Sequence, residues 1–289
     1  MKKPLKYIYI LPSAVTLLNG FFGFTAIMIA SHEFGLHWQF PMTQGFRLSY
    51  LTISAWFIIF GMIADTLDGF VARTSGTTSD FGAQLDSLCD AVTFGIAPAI
   101  LSYRMFADEL LKLRSSGFWA NIAGKGVLFA VVVYAMCALV RLARFNVETD
   151  ENAASHMNFA GLPSPAAAGL IVSLILFHEE FIQRLCIKIP LFASLMQTLE
   201  KISLWAIPFV LVSAGVLMVS RIVYPHIANQ LIRSRKSFFS LLIVILFILF
   251  AMWTFYIALI IGFFWFASYG FVYWVVTAAK SKSTGANDE

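Results

Sequence analysis

Apolar residues fall along this chain in stretches of about 20, the length a helix needs to cross roughly 30 Å of hydrocarbon. Polar segments between them are short. This pattern predicts an all-α, polytopic integral membrane protein of about eight transmembrane helices, near 8–30, 48–72, 82–104, 126–145, 164–180, 203–220, 238–257 and 259–278. The last two come from Ser237 to Ala279, 43 residues without a charge, which is too long for one span and right for two. The stretch 181–202, broken by Lys188, Pro190, Glu200 and Lys201, reads as a connection with an interfacial segment. With no soluble insert between spans, residues 1–280 form one membrane domain, followed by a polar tail at 281–289.

Composition agrees with a bilayer setting. Hydrophobic residues make up 59% of the 289 and charged ones 12%, against about 45–50% and 25% in soluble domains. The basic start (Met1-Lys2-Lys3) precedes an apolar run, Tyr7 to Ala30, long enough to span and without a small-residue cleavage site, so it reads as a helix and not a leader. If the N-terminus is cytoplasmic, twelve of the twenty lysines and arginines fall on the inner side, which follows the positive-inside tendency. That orientation puts the 73–82 and 145–163 loops in the cytoplasm. The pI of about 9.0 then reads as attraction to anionic lipid and phosphate, with no nucleic acid invoked. Cys89, Cys137 and Cys186 are too widely spaced for a zinc site and read as packing residues. The five histidines show no metal-ligand spacing either.

Within this apolar background the segment 61–98 is anomalous. Asp65 and Asp68, spaced i, i+3, lie near the end of the second span; Asp86 and Asp90, spaced i, i+4, lie near the start of the third. Each spacing puts both carboxylates on one helix face. The polar turn 74–81 reverses the chain, so the two helices run antiparallel and the four carboxylates reach similar depths. An aspartate at the centre of a bilayer helix costs about 2.5–3.5 kcal/mol on insertion scales, and four together repel one another strongly. Arg73 alone cannot neutralise them. Hard divalent cations with oxygen ligands are the natural counter-charge, with Mg²⁺ or Mn²⁺ favoured where phosphate is also a ligand. Gly69, Ala72 and Gly82 leave room for close approach to the backbone, and Arg73 offers a fork of donors suited to phosphate.

The string Asp65-x2-Asp68-Gly69-x2-Ala72-Arg73-x8-Gly82-x3-Asp86-x3-Asp90 resembles the signature of the CDP-alcohol phosphatidyltransferase family at all eight fixed positions. The resemblance implies that Asp65, Asp68, Asp86 and Asp90 hold a pair of metal ions. It implies that Asp65, Gly69, Ala72, Arg73 and Gly82 lie against the CDP moiety, and that Asp90 takes the proton from the acceptor hydroxyl. It also implies homodimers and a bacterial or archaeal cell membrane.

A second set of residues concerns the acceptor side, 141–169. Arg141-Leu-Ala-Arg144-Phe-Asn146, the segment from Phe159 to Gly169, the opening Leu11-Pro12-Ser13 to Asn19-Gly20, and Leu217 to Arg221 resemble the serine-accepting branch of that family, with Ser13 where Asn is expected. CDP-diacylglycerol and L-serine are the substrates this implies, with phosphatidylserine and CMP as products. Arg141, Arg144, Asn146 and Ser164 are the candidates for holding the serine carboxylate or a donor phosphate. Ser164 suits either a helix cap or a substrate contact. The alternatives are the same chemistry with glycerol phosphate, inositol phosphate or choline, and a divalent-cation transporter. The transporter needs a polar path to the far face, where Leu51–Met62 and Ala91–Leu101 are apolar.

Overall fold

The computed structural model describes residues 10–31, 49–75, 80–114, 118–151, 161–182, 193–222 and 255–285. Its helices are α1 (Ile10–Ser31), α2 (Tyr50–Ser75), α3 (Asp80–Asp90), α4 (Ala97–Arg114), α5 (Phe118–Glu151), α6 (Ser164–Leu176), α7 (Ala193–Val219) and α8 (Phe255–Gly285). A π-helical segment, Ala91–Ile96, joins α3 to α4 in one rod, and a second, Phe177–Ile182, extends α6. Among the described residues there is no strand.

Five helices are long and apolar enough to cross a membrane, within Ala14–Ser31, Tyr50–Gly69, Phe81–Phe106, Gly124–Val147 and Thr198–Val219; Ser164–Glu179 and Tyr256–Val272 are shorter apolar helices. The span expected at 238–257 lies almost wholly outside the described residues. The segment 181–202 needs correcting in its second half. Residues from Ala193 onward are already part of α7, which carries Glu200, Lys201 and Pro208 within it. Charge near a helix end does not stop a helix; it only marks where hydrocarbon gives way to interface.

The pattern of burial on α1 shows which solvent the fold is built for. Thr16, Asn19, Gly23, Ala26 and Ala30, at helical spacing, are buried, while Leu17, Phe21 and Phe24 are exposed. Small and polar residues face protein and large apolar ones face outward, as expected where lipid offers no penalty to leucine and close packing supplies the attraction. Along this buried stripe Ser54 of α2 donates to the Ala26 carbonyl (2.9 Å) and Arg104 of α4 to the Ala30 carbonyl (2.9 Å).

The third span, expected as one helix over 82–104, is a rod that runs from Asp80 to Arg114. The π-helical segment is the difference, and Pro98 gives it a physical reason. Proline has no N–H for the Phe94 carbonyl four residues back. The Ala97 N–H bonds instead to Val92, five residues back, and the Tyr134 hydroxyl of α5 donates to the Phe94 carbonyl at 2.7 Å. Both Phe94 and Tyr134 are fully buried.

Candidate active site

α2 ends at Ser75 and α3 begins at Asp80, so the link is shorter than the 74–81 turn expected. Across it, carboxylate oxygens of Asp65, Asp86 and Asp90 lie within 4.8 Å of one another. So close a meeting over so short a link requires α3 to turn back toward the Asp65 end of α2, and it packs there chiefly against α1. The expected convergence is present for these three. Asp68 stands outside the cluster of three: it is buried, and its Oδ2 accepts a 2.6 Å hydrogen bond from the Thr16 hydroxyl of α1. Its Oδ1 is buried with no hydrogen-bond partner. Its charge still acts on Asp65 and Asp86.

Asp90 is buried at the last residue of α3, where its Oδ1 accepts a 2.9 Å bond from Asn19 Nδ2. Arg141 of α5 attracts Asp90 electrostatically. One guanidinium nitrogen of Arg141 donates to Ser164 Oγ at 3.0 Å, and its Nε is buried without a partner. Ser164 is therefore not a cap. Pro163 is the N-cap of α6 and makes no side-chain cap bond, so the Ser164 hydroxyl on the first turn is turned toward Arg141. Asn146, five residues beyond Arg141, accepts a 2.8 Å bond from Ser87 Oγ and so ties α5 to α3 beside Asp86.

The approach to Ser164 is fixed by Gly161, whose φ of +91° favours glycine. A Cβ there would run into the Met218 carbonyl, and the Gly161 and Leu162 amides donate to the Ile222 and Leu217 carbonyls at 2.8 and 3.0 Å. Of the remaining expected residues, Gly69, Gly82 and Arg144 are half-buried. Ala72 and Arg73 lie in the last turns of α2, with side chains outside the described set.

A hard divalent cation fits this arrangement. The donor set is all oxygen, three carboxylates converge with no lysine between them, and the buried Asp68 Oδ1 still has an open lone pair. The model of one family matches residues 9–194, and its description is CDP-alcohol phosphatidyltransferase. The chain belongs to the CDP-alcohol phosphatidyltransferase family. The four aspartates, the glycines and Arg73 all lie inside the matched region, as does the acceptor-side segment.

Three similar relatives carry one name. A CDP-diacylglycerol–serine O-phosphatidyltransferase of Helicobacter pylori strain J99 is 30% identical over 277 residues, 96% of each chain. One from strain 26695 of the same species is 32% identical over 77% of this chain and 75% of its own. One from Methanocaldococcus jannaschii is 33% identical over 75% of this chain and 74% of its own.

Sequence reasoning passed over Thr16, Asn19, Ser87, Thr93 and Tyr134 as site-building residues. Asn19 belonged to the opening segment that resembles the serine-accepting branch but was given no role, and the signal for Thr16 and Thr93 was polarity inside otherwise apolar spans, where an exposed side chain would meet lipid.

Proposed function

We propose that this protein transfers the phosphatidyl group of CDP-diacylglycerol to L-serine, giving phosphatidylserine and CMP. The observation that carries the proposal is the convergence of Asp65, Asp86 and Asp90 from two segments long and apolar enough to cross a membrane. The names of the three relatives favour serine among the candidate acceptors.

Asp65, Asp68, Asp86 and Asp90 would hold two Mg²⁺ or Mn²⁺ ions, the family's pair. When bound, such ions neutralise the carboxylates and the diphosphate and stabilise charge on the departing phosphate. Asp65, Gly69, Ala72, Arg73 and Gly82 bind the CDP moiety, the glycines by letting it lie against the backbone and Arg73 by forked donation to phosphate. Asp90 accepts the proton of the serine hydroxyl. The hydroxyl oxygen forms a bond to the lipid-bearing phosphorus as the bond from that phosphorus to the CMP phosphate oxygen breaks, and CMP leaves with the electron pair.

Arg141 binds the serine carboxylate. Its Nε is unpaired and buried, its guanidinium is held by Ser164, and its electrostatic attraction to Asp90 supports an acceptor site near the base. Arg144 and Asn146 complete the polar wall on the cytoplasmic side. The lipid tails leave sideways into the bilayer, the physical reason for a site on such segments.

The test supplies purified protein with CDP-diacylglycerol, Mg²⁺ or Mn²⁺, and each candidate alcohol in turn, and measures CMP release. Serine-dependent release supports the assignment. Release with glycerol phosphate, inositol phosphate or choline but not serine moves the acceptor, and no release with any alcohol removes the activity.

A further inference from the structure

We infer that Asn19 is a positioning residue, holding Asp90 by one carboxylate oxygen so that the other is presented to Asp65 and Asp86. This rests on the proposed role of the aspartate cluster and adds the element that aims it.

Asn19 is fully buried in α1, and its Nδ2 donates to Asp90 Oδ1 at 2.9 Å. A carboxylate only accepts hydrogen bonds, so the amide must face it NH₂-first. That leaves Asn19 Oδ1 pointing away, buried and without a partner. The amide thus has one orientation compatible with Asp90. Asn19 is itself held from behind, because the Thr93 hydroxyl in the π-helical segment donates to the Asn19 carbonyl at 3.0 Å. Residues 90 and 93, on consecutive turns of one rod, therefore grip the same residue of α1.

Two glycines make that grip possible. A Cβ on Gly23 of α1 would fall on the Thr93 hydroxyl and 2.6 Å from Thr93 Cα. A Cβ on Gly61 of α2 would lie 2.5 Å from Thr93 Cγ2 and 3.1 Å from Asn19 Oδ1. Three helices meet here at glycine distance, one turn past Asp90. The neighbouring contact, Thr16 to Asp68, repeats the device three residues earlier on α1. Partners that orient ligating carboxylates typically cost 10–100-fold in metal affinity or activity when removed.

The experiment compares wild type with Asn19→Leu, similar in volume but without a donor. Mn²⁺ binding by the purified protein, thermal stability in EDTA, and steady-state kinetics with CDP-diacylglycerol and serine are measured for both. The expected result is about 10–100-fold weaker Mn²⁺ binding or lower kcat, with the KM for serine within about twofold and a folded protein in EDTA. Unchanged Mn²⁺ affinity and kcat overturn the inference. So does a loss that appears only in the KM for serine. If Asn19→Leu does not purify folded, Asn19→Ala takes its place. Failure of both to fold makes Asn19 a packing residue and overturns the positioning role. A wild type that binds Mn²⁺ but releases no CMP with serine overturns the proposed function and leaves the Mn²⁺ comparison standing.

Discussion

The Tyr134 hydroxyl of α5 donates to the Phe94 carbonyl at 2.7 Å, filling the place that the missing N–H of Pro98 leaves open four residues on. Both partners are buried among apolar side chains, so the bond has no water to replace it. Leaving such an acceptor unsatisfied costs about 1–3 kcal/mol. Tyr134→Phe should lower stability by that amount, read as a fall in the thermal midpoint in detergent. An unchanged midpoint would mean that Phe94 finds another donor.

In the proposed mechanism Asp90 both takes the acceptor's proton and helps hold a metal ion. Asp90→Asn keeps the shape and removes both roles. Turnover should fall by about 10²–10⁴-fold, the usual range for losing a general base, with the protein folded by size-exclusion and thermal melt. Retained CMP release with serine would rule out Asp90 as the base.

Asp65, Asp86 and Asp90 should depend on a divalent ion for stability as well as for activity. Adding EDTA should abolish CMP release, and Mg²⁺ or Mn²⁺ should restore it. At an ion concentration 100 times its Kd the folded state gains about 2.7 kcal/mol, which a melt with and without the ion detects. Asp86→Asn should lose this metal-induced shift. Equal melts for wild type in EDTA and in Mn²⁺ would count against metal binding at the cluster.

Arg141 is the candidate for the acceptor carboxylate, and its fork is already engaged on one side by Ser164. Lysine preserves the charge and loses the planar pair of donors. Arg141→Lys should raise the KM for serine by about tenfold, worth about 1.4 kcal/mol, and change the KM for CDP-diacylglycerol much less. The opposite pattern would move Arg141 to the donor phosphate.

Gly161 sets the chain's direction into Ser164 at a φ of +91°. A left-handed conformation costs an L-residue about 1–2 kcal/mol, and alanine there would also strike the Met218 carbonyl. Gly161→Ala should destabilise the protein by at least that much and raise the KM for serine, because Ser164 and Arg141 shift together. A variant as stable as wild type would show that the loop can take another path.

Much of the site was legible because its chemistry is paradoxical in lipid. Asp65, Asp86 and Asp90 announce themselves as charges where none is tolerated unpaired, and spacings of three and four fix the faces they share. Asp68 was harder. Spacing places it beside Asp65, but its Oδ2 is taken by Thr16, a residue 52 positions earlier whose partner no local pattern reveals. The partners of Asn19 and Thr93 were hidden for the same reason, although Asn19 itself lies in the opening motif, since a single amide or hydroxyl in an apolar run has no period to betray its partner. The start of α7 was misplaced because Glu200 and Lys201 look like breaks, yet helical hydrogen bonding continues beneath polar side chains. The π-helical segment was traceable in principle to Pro98, but one proline fits a kink, a wide turn or a helix start equally well.

The wide turn after Asp90 also sets an angular phase. Each residue advances a helix by about 100°, so one residue more or fewer between Asp90 and Pro98 would rotate everything beyond it relative to the carboxylates. Asn19 clamps the near half of the rod, and Phe106 against Trp205, with ring centroids 6.0 Å apart, seats the far half. The two ends are thus keyed to different neighbours. A single-residue deletion at this point would unlock one of them, however conservative its composition.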